Sequence, residues 1–91
     1  MARPCKARFI DTRLKVSTFK PLGIPLSGLD LVLLSLAELE ALRLADFEGD
    51  QQEQAATKMN ISRPTFGRIV ARARRKIADA LLHGKAIRIS G

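Results

Sequence analysis

Residues 52–69 read QEQAATKMNISRPTFGRI, and their spacing is that of a helix-turn-helix. Ala56 is the small residue at which the first helix of such a unit lets the second approach. Asn60 falls at the tight turn, where φ > 0 is needed and Asn is tolerated better than other non-glycine residues. Ile61 follows as a plug into the core, and Ser62 is a good N-cap for the second helix. Phe66, Ile69, Ala73 and Ile77 recur at helical spacing and define its buried face. The opposite face carries Arg68, Arg72 and Arg75. Pro64 costs nothing in a first helical turn but biases Arg63 away from helical φ/ψ, so the helix is expected to start at Arg63 or Pro64.

Working outward, the charges are segregated. Residues 1–25 hold six Lys/Arg against one Asp, residues 26–60 two against seven acids, and residues 61–91 eight against one, within a net charge of +7. The block charges are therefore +5, −5 and +7. A polyanion binder needs its cations on one surface, whereas solubility alone gives no reason to separate the signs. The competing interpretation is a basic helix face that is merely solvated.

A chain of 91 residues is one small domain with a core of about three helices. The most apolar segment, Leu26–Leu36, is interrupted by Ser27, Gly28 and Asp30, too short a run to span a membrane. The start, MARPCKAR, lacks an apolar signal region, so a cytoplasmic location is expected. Cys5 stands alone in the sequence, which excludes an internal disulfide and a cysteine-based zinc site. No phosphate loop, metal cluster or nucleophile motif is present, and no cofactor or metal is expected. The single histidine, His83, precedes a helix-ending Gly84 and suits a helix C-terminus better than catalysis. Glu38, Glu40, Glu48 and Glu53 are scattered as caps or surface residues. An enzyme is not expected.

Three segments follow. Residues 1–34 read as a basic N-terminal arm with a short alternating strand, RFIDTRLKV. Residues 35–84 are the helical domain. Ser35 with Glu38 forms a capping box for LAELEALRLADF, in which Leu36, Leu39, Leu42, Leu44 and Phe47 make an apolar stripe and Gly49 ends the helix. Asp50 with Glu53 repeats the box before the short helix QQEQAATKM, and a long helix runs from Arg63 to Leu82. Arg43 sits at helical spacing from Glu40 and Asp46 as an ion-pair partner. Residues 85–91 form a strand-like tail, whose KAIRI is expected to pair with RFIDTRLKV. The fold class is thus mainly α, a three-helix unit with short terminal strands.

FKPLGIPL, LAELEALRLADFEG and AATKMNISRPTFGRIVARARRKIADALLHGKAIRI together resemble a small, uncharacterised prokaryotic family of predicted DNA-binding proteins. That family's helix-turn-helix is similar to the DNA-reading C-terminal domain of sigma factors. The resemblance covers residues 19–91, and EALRLAD, SRxTFGR and ARRKIADAL are specific in combination. It implies a sigma-like helix-turn-helix fold and a role in transcriptional regulation. The chain departs from the pattern at Asn60, where the family usually has Gly, and at Pro64, where a longer polar residue is common.

On this reading duplex DNA is the partner and the helix after Ser62 is the recognition helix. Gln52 and Ser62, at the starts of the two motif helices, face phosphates through side chains and helix-end N–H groups. Arg63 and Arg68 suit guanine edges, and Thr65 a thymine methyl or a phosphate. Arg72, Arg75 and Lys76 meet phosphates further along. Arg74 does the same or pairs with acids of the preceding helices. The alternatives are an RNA-binding protein using the same basic helix, and an adaptor that contacts RNA polymerase through the acidic EAL helix. Four Phe with no Tyr or Trp leave little to stack on single-stranded bases. A homodimer would draw on DLVLLSLAEL, residues 30–39, or on the terminal ribbon.

Overall fold

The computed structural model describes residues 17–90. It is mainly helical with a few short strands. The elements are β1 (Thr18–Phe19), a 3-10 turn at Leu26–Gly28, β2 (Leu31–Ser35), α1 (Leu36–Leu42), α2 (Gln52–Met59), α3 (Arg63–His83) and β3 (Ala86–Ser90). Cys5 and RFIDTRLKV lie outside the described residues.

α1 begins where the capping box predicts. Ser35 Oγ accepts the Glu38 N–H at 3.1 Å, and the Glu38 carboxylate accepts the Ser35 N–H at 2.9 Å. Its end is less regular. Arg43–Phe47 continue as a π-turn, in which the Glu48 N–H donates to Arg43 O at 2.8 Å, and Gly49 closes the turn at φ 79°. The extra residue in that turn breaks the 3.6-residue phase. Leu44 therefore stays in the core, while Phe47, expected on the apolar stripe, is 84 % exposed.

The α2 N-cap is Gln51 rather than Asp50, and Gln54 Oε1 accepts the Gln51 N–H at 3.2 Å. Asp50 instead meets Lys58 Nζ at 2.7 Å. α2 ends in Asn60, which is left-handed at φ 62° and ψ 43°. Ser62 then caps α3, accepting the Thr65 N–H at 3.3 Å. α3 starts at Arg63 with Pro64 in its first turn, and runs to His83 before Gly84 ends it at φ 64°.

Two apolar clusters hold these elements together. Phe66 and Met59 are fully buried in the first, with Ala41, Leu44, Ala55, Ala56 and Val70, and Ile61 packs against it. The second joins Leu34, Ala73 and Ile89, flanked by Leu36, Leu39 and Ile77. Small residues at Ala41, Ala55 and Ala56 let the three helices approach closely around Phe66.

Among the described residues the strands form a three-stranded sheet. β3 is its central strand, antiparallel to β1 (Thr18↔Arg88, Phe19↔Ile87) and parallel to β2 (Leu31↔Ala86 to Ser35↔Ser90). The expected strand partner, Arg8–Val16, lies outside the described residues. β2 was read as part of an extended arm because its apolar content, LVLLS, hides the alternation of buried Val32 and Leu34 with exposed Leu31 and Leu33. Lys76 of α3 reaches across this edge strand and donates to Leu33 O at 2.7 Å, taking up a carbonyl that an exposed edge would otherwise leave open.

Candidate nucleic-acid interface

α3 buries one side of its surface and leaves the other open. Phe66, Ile69, Val70, Ala73 and Ala80 face the core. Arg68, Arg72 and Arg75, at i, i+4 and i+7, share the outward face, with exposed Ala71 and Ala78 beside them. Arg63 is exposed one turn before Gly67. At 1.5 Å per residue the row from Arg68 to Arg75 spans about 10 Å, and Arg63 stands to one side of it at the start of the helix.

The cations of α3 divide into two groups. Arg74 grips Asp46 of the π-turn in a fork, Nε to Oδ2 at 3.0 Å and Nη2 to Oδ1 at 2.7 Å. The Arg74 hydrogen bonds hold the Asp46 carboxyl below its ordinary range, and Asp46 in turn raises the guanidinium. Lys76 donates to Glu38 at 2.8 Å as well as to Leu33 O. Burial raises the Glu38 carboxyl, but hydrogen bonds from Lys76 and Ser35 outweigh it and leave the group below its usual value. Lys76, read from sequence as a phosphate contact, is thus engaged in the fold. By contrast Arg63, Arg68, Arg72 and Arg75 have no hydrogen-bond or carboxylate partner among the described residues.

The acids show why. Glu40, expected at the surface, is only 3 % exposed, and both its oxygens accept from Arg43, at 2.9 and 2.8 Å. Arg43 also reaches Glu48 at 3.1 Å, while Asp46, the other neighbour foreseen for it, goes to Arg74. At the far end of α3, Asp79 lies 2.7 Å from His83 Nδ1 and 3.1 Å from Lys85 Nζ, and these contacts, His83 first, depress its carboxyl. The middle-block acids are largely consumed by Arg43, Lys58, Arg74 and Lys76, leaving the outward arginines uncompensated among the described residues.

At the start of α3 the hydroxyls are already committed. Ser62 Oγ donates to Thr65 Oγ1 at 2.8 Å and accepts the Thr65 N–H, so the Thr65 hydroxyl proton is the free side-chain donor of this pair. Pro64 has no N–H. The helix end therefore offers fewer amide donors to an anion than the sequence suggested, and the guanidinium of Arg63 dominates there.

Gln52, the first residue of α2, comes to the same end of α3. Its Oε1 lies 3.3 Å from where a Cβ on Gly67 would stand. Gly67 was not singled out from sequence, although a glycine inside a helical pattern was the available signal.

Among the described residues no group of three His, Cys, Asp or Glu side chains is placed to hold a metal ion. No helix among them is long and apolar enough to cross a membrane.

Over all 91 residues the chain is 54% identical to a UPF0251 protein of Thermoanaerobacter sp., spanning 80% of that protein's length. It is 58% identical, again over 91 residues, to a UPF0251 protein of Dehalococcoides mccartyi, spanning 78% of it. A UPF0251 protein of Pelotomaculum thermopropionicum is 53% identical over the same length, of which the chain spans 69%. No solved structure matches the chain at a significant level. The family model described as "Protein of unknown function DUF134" matches residues 1–91, and the chain belongs to that prokaryotic family.

Proposed function

We propose that this protein binds double-stranded DNA, with α2, the Asn60 turn and α3 acting as a helix-turn-helix of the sigma-factor type. α3 is the recognition helix, and the protein serves as a transcriptional regulator in the prokaryotic cytoplasm. One observation carries this reading: Arg63, Arg68, Arg72 and Arg75 project from one helix without internal partners among the described residues, while neighbouring cations are satisfied by carboxylates. A B-DNA major groove is about 12 Å wide and admits an α-helix with its side chains. Arg63 and Arg68 lie toward the N-terminal end of α3 and are assigned to base edges. Arg72 and Arg75 are assigned to phosphates, and Gln52 and the Thr65 hydroxyl to the backbone flanking the groove. Lys76 is left out of this contact set. The aromatic supply favours duplex over single strands, since Phe66 is in the core and Phe19 and Phe47 project from other elements than α3.

Binding to a duplex should weaken steeply with salt. Arg72→Ala and Arg75→Ala should each flatten the slope of log K against log salt by about 1 while weakening all sequences alike. Arg68→Ala should instead reduce discrimination between a selected site and random duplex by about 1–3 kcal/mol. Equilibrium titrations of labelled duplex at several salt concentrations measure both effects. Absence of duplex binding, or more effective competition by structured RNA than by any duplex, would overturn the proposal.

A further inference from the structure

Gly67 lies inside α3, where glycine is a poor helix former, so its presence there needs a reason. Close packing of two backbones is not that reason. Leaving aside its own helix backbone and its chain neighbours, the only group among the described residues within 4 Å of a Cβ built on Gly67 is Gln52 Oε1, at 3.3 Å. Gln52 is the first residue of α2 and is exposed, and its side chain has no hydrogen-bond partner among the described residues. On the surface of α3, Gly67 borders Arg63 one turn before it and Ala71 one turn after. A carboxamide resting by its oxygen against this bare stretch of helix keeps both N–H donors for an outside acceptor.

We propose that Gly67 is a positioning residue. It keeps a seat on α3 for the Gln52 carboxamide, so that Gln52 donates to one DNA phosphate beside the first turns of the helix while Arg63 reaches the neighbouring base edge. The proposal rests on the DNA-binding reading and adds to it the device that sets how α3 is registered on the duplex. Any side chain at position 67 meets the carboxamide, and even a methyl group comes closer than such contacts ordinarily allow.

The test is a double-mutant cycle on a selected duplex at fixed salt, using Gly67→Ala, Gln52→Ala and the combination, with melting midpoints measured alongside. Gly67→Ala is expected to weaken binding roughly tenfold in the unaltered background, and by less than about twofold in the Gln52→Ala background. The melting midpoint should stay or rise, because alanine favours the helix and only the end of a flexible side chain has to move. Gly67→Met, which fills the seat, should deepen the loss of binding. Equal losses in both backgrounds, or a lowered midpoint for Gly67→Ala, would overturn the proposal in favour of a packing role. If the unaltered protein fails to bind duplex DNA, the DNA reading fails by itself. The seat is then tested without DNA: the Gln52 side-chain amide NMR resonances should shift on Gly67→Ala, and unmoved resonances overturn it.

Discussion

Burying the Glu38 carboxylate, only 4 % exposed, is tolerable because Lys76 and the Ser35 N–H both donate to it. Its folded pKa is depressed, so it contributes stability that is present above its ordinary value near 4.5 and lost as pH falls below it. Lys76→Met should cost about 2 kcal/mol at pH 7, since one partner of a buried pair is removed. The pH dependence should also weaken. With Lys76 gone its hydrogen bond no longer lowers the carboxyl against burial, so the variant loses less stability than the unaltered protein as pH falls below 4.5. Chemical denaturation at pH 7 and at a pH below 4.5 measures both effects. The two phenylalanines offer a second contrast. Phe66 is fully buried, and Phe66→Ala should cost about 3–5 kcal/mol. Phe47→Ala should change the melting midpoint little, because Phe47 is 84 % exposed. An equal drop for both would mean that the π-turn does not hold Phe47 outward in solution.

The turn between α2 and α3 rests on one backbone conformation, Asn60 at φ 62°. Asn60→Gly should be close to neutral, and Asn60→Val should cost about 1–3 kcal/mol, because a β-branched residue resists the left-handed region. Thermal melts of the two variants check this. The turn was legible in the sequence because its determinants are local: Asn60, the Ser62 cap and the Phe66, Ile69, Ala73 spacing all act within a few residues. The Ser35–Glu38 box and the Gly84 terminus were legible for the same reason. What escaped was either non-local or out of phase. LVLLS shows no strand signal distinct from its leucines, and its partner β3 lies 55 residues away at every paired position. The π-turn adds one residue to a helical repeat, so periodicity assigned Phe47 to the wrong side. In the candidate site the outward arginines were readable from spacing. The engagement of Lys76 was not, because Leu33 O is 43 residues away and Glu38 is 38.

For the whole molecule, β3 is the member on which the sheet depends, since β1 and β2 each pair only with it among the described residues. It also supplies Ile89 to the second apolar cluster. Deleting residues 86–91 should therefore broaden the melting transition and lower its midpoint, while the Phe66 cluster, built from α1, α2 and α3, keeps residual helical structure. Circular dichroism of the shortened chain measures both, and an unchanged transition would show that the sheet adds nothing to stability. The parallel pairing of β2 with β3 also has a consequence in time. A chain leaving the ribosome from its N-terminus exposes Leu31 and Leu33 long before residues 86–90 emerge. Through that interval the nascent β2 has an open edge, and closing a 55-residue loop is a slow, non-local step. α3 ends at His83, only three residues before β3 begins, so the helix proposed to meet DNA and the strand that braces it emerge almost together, and β2 is the element that waits.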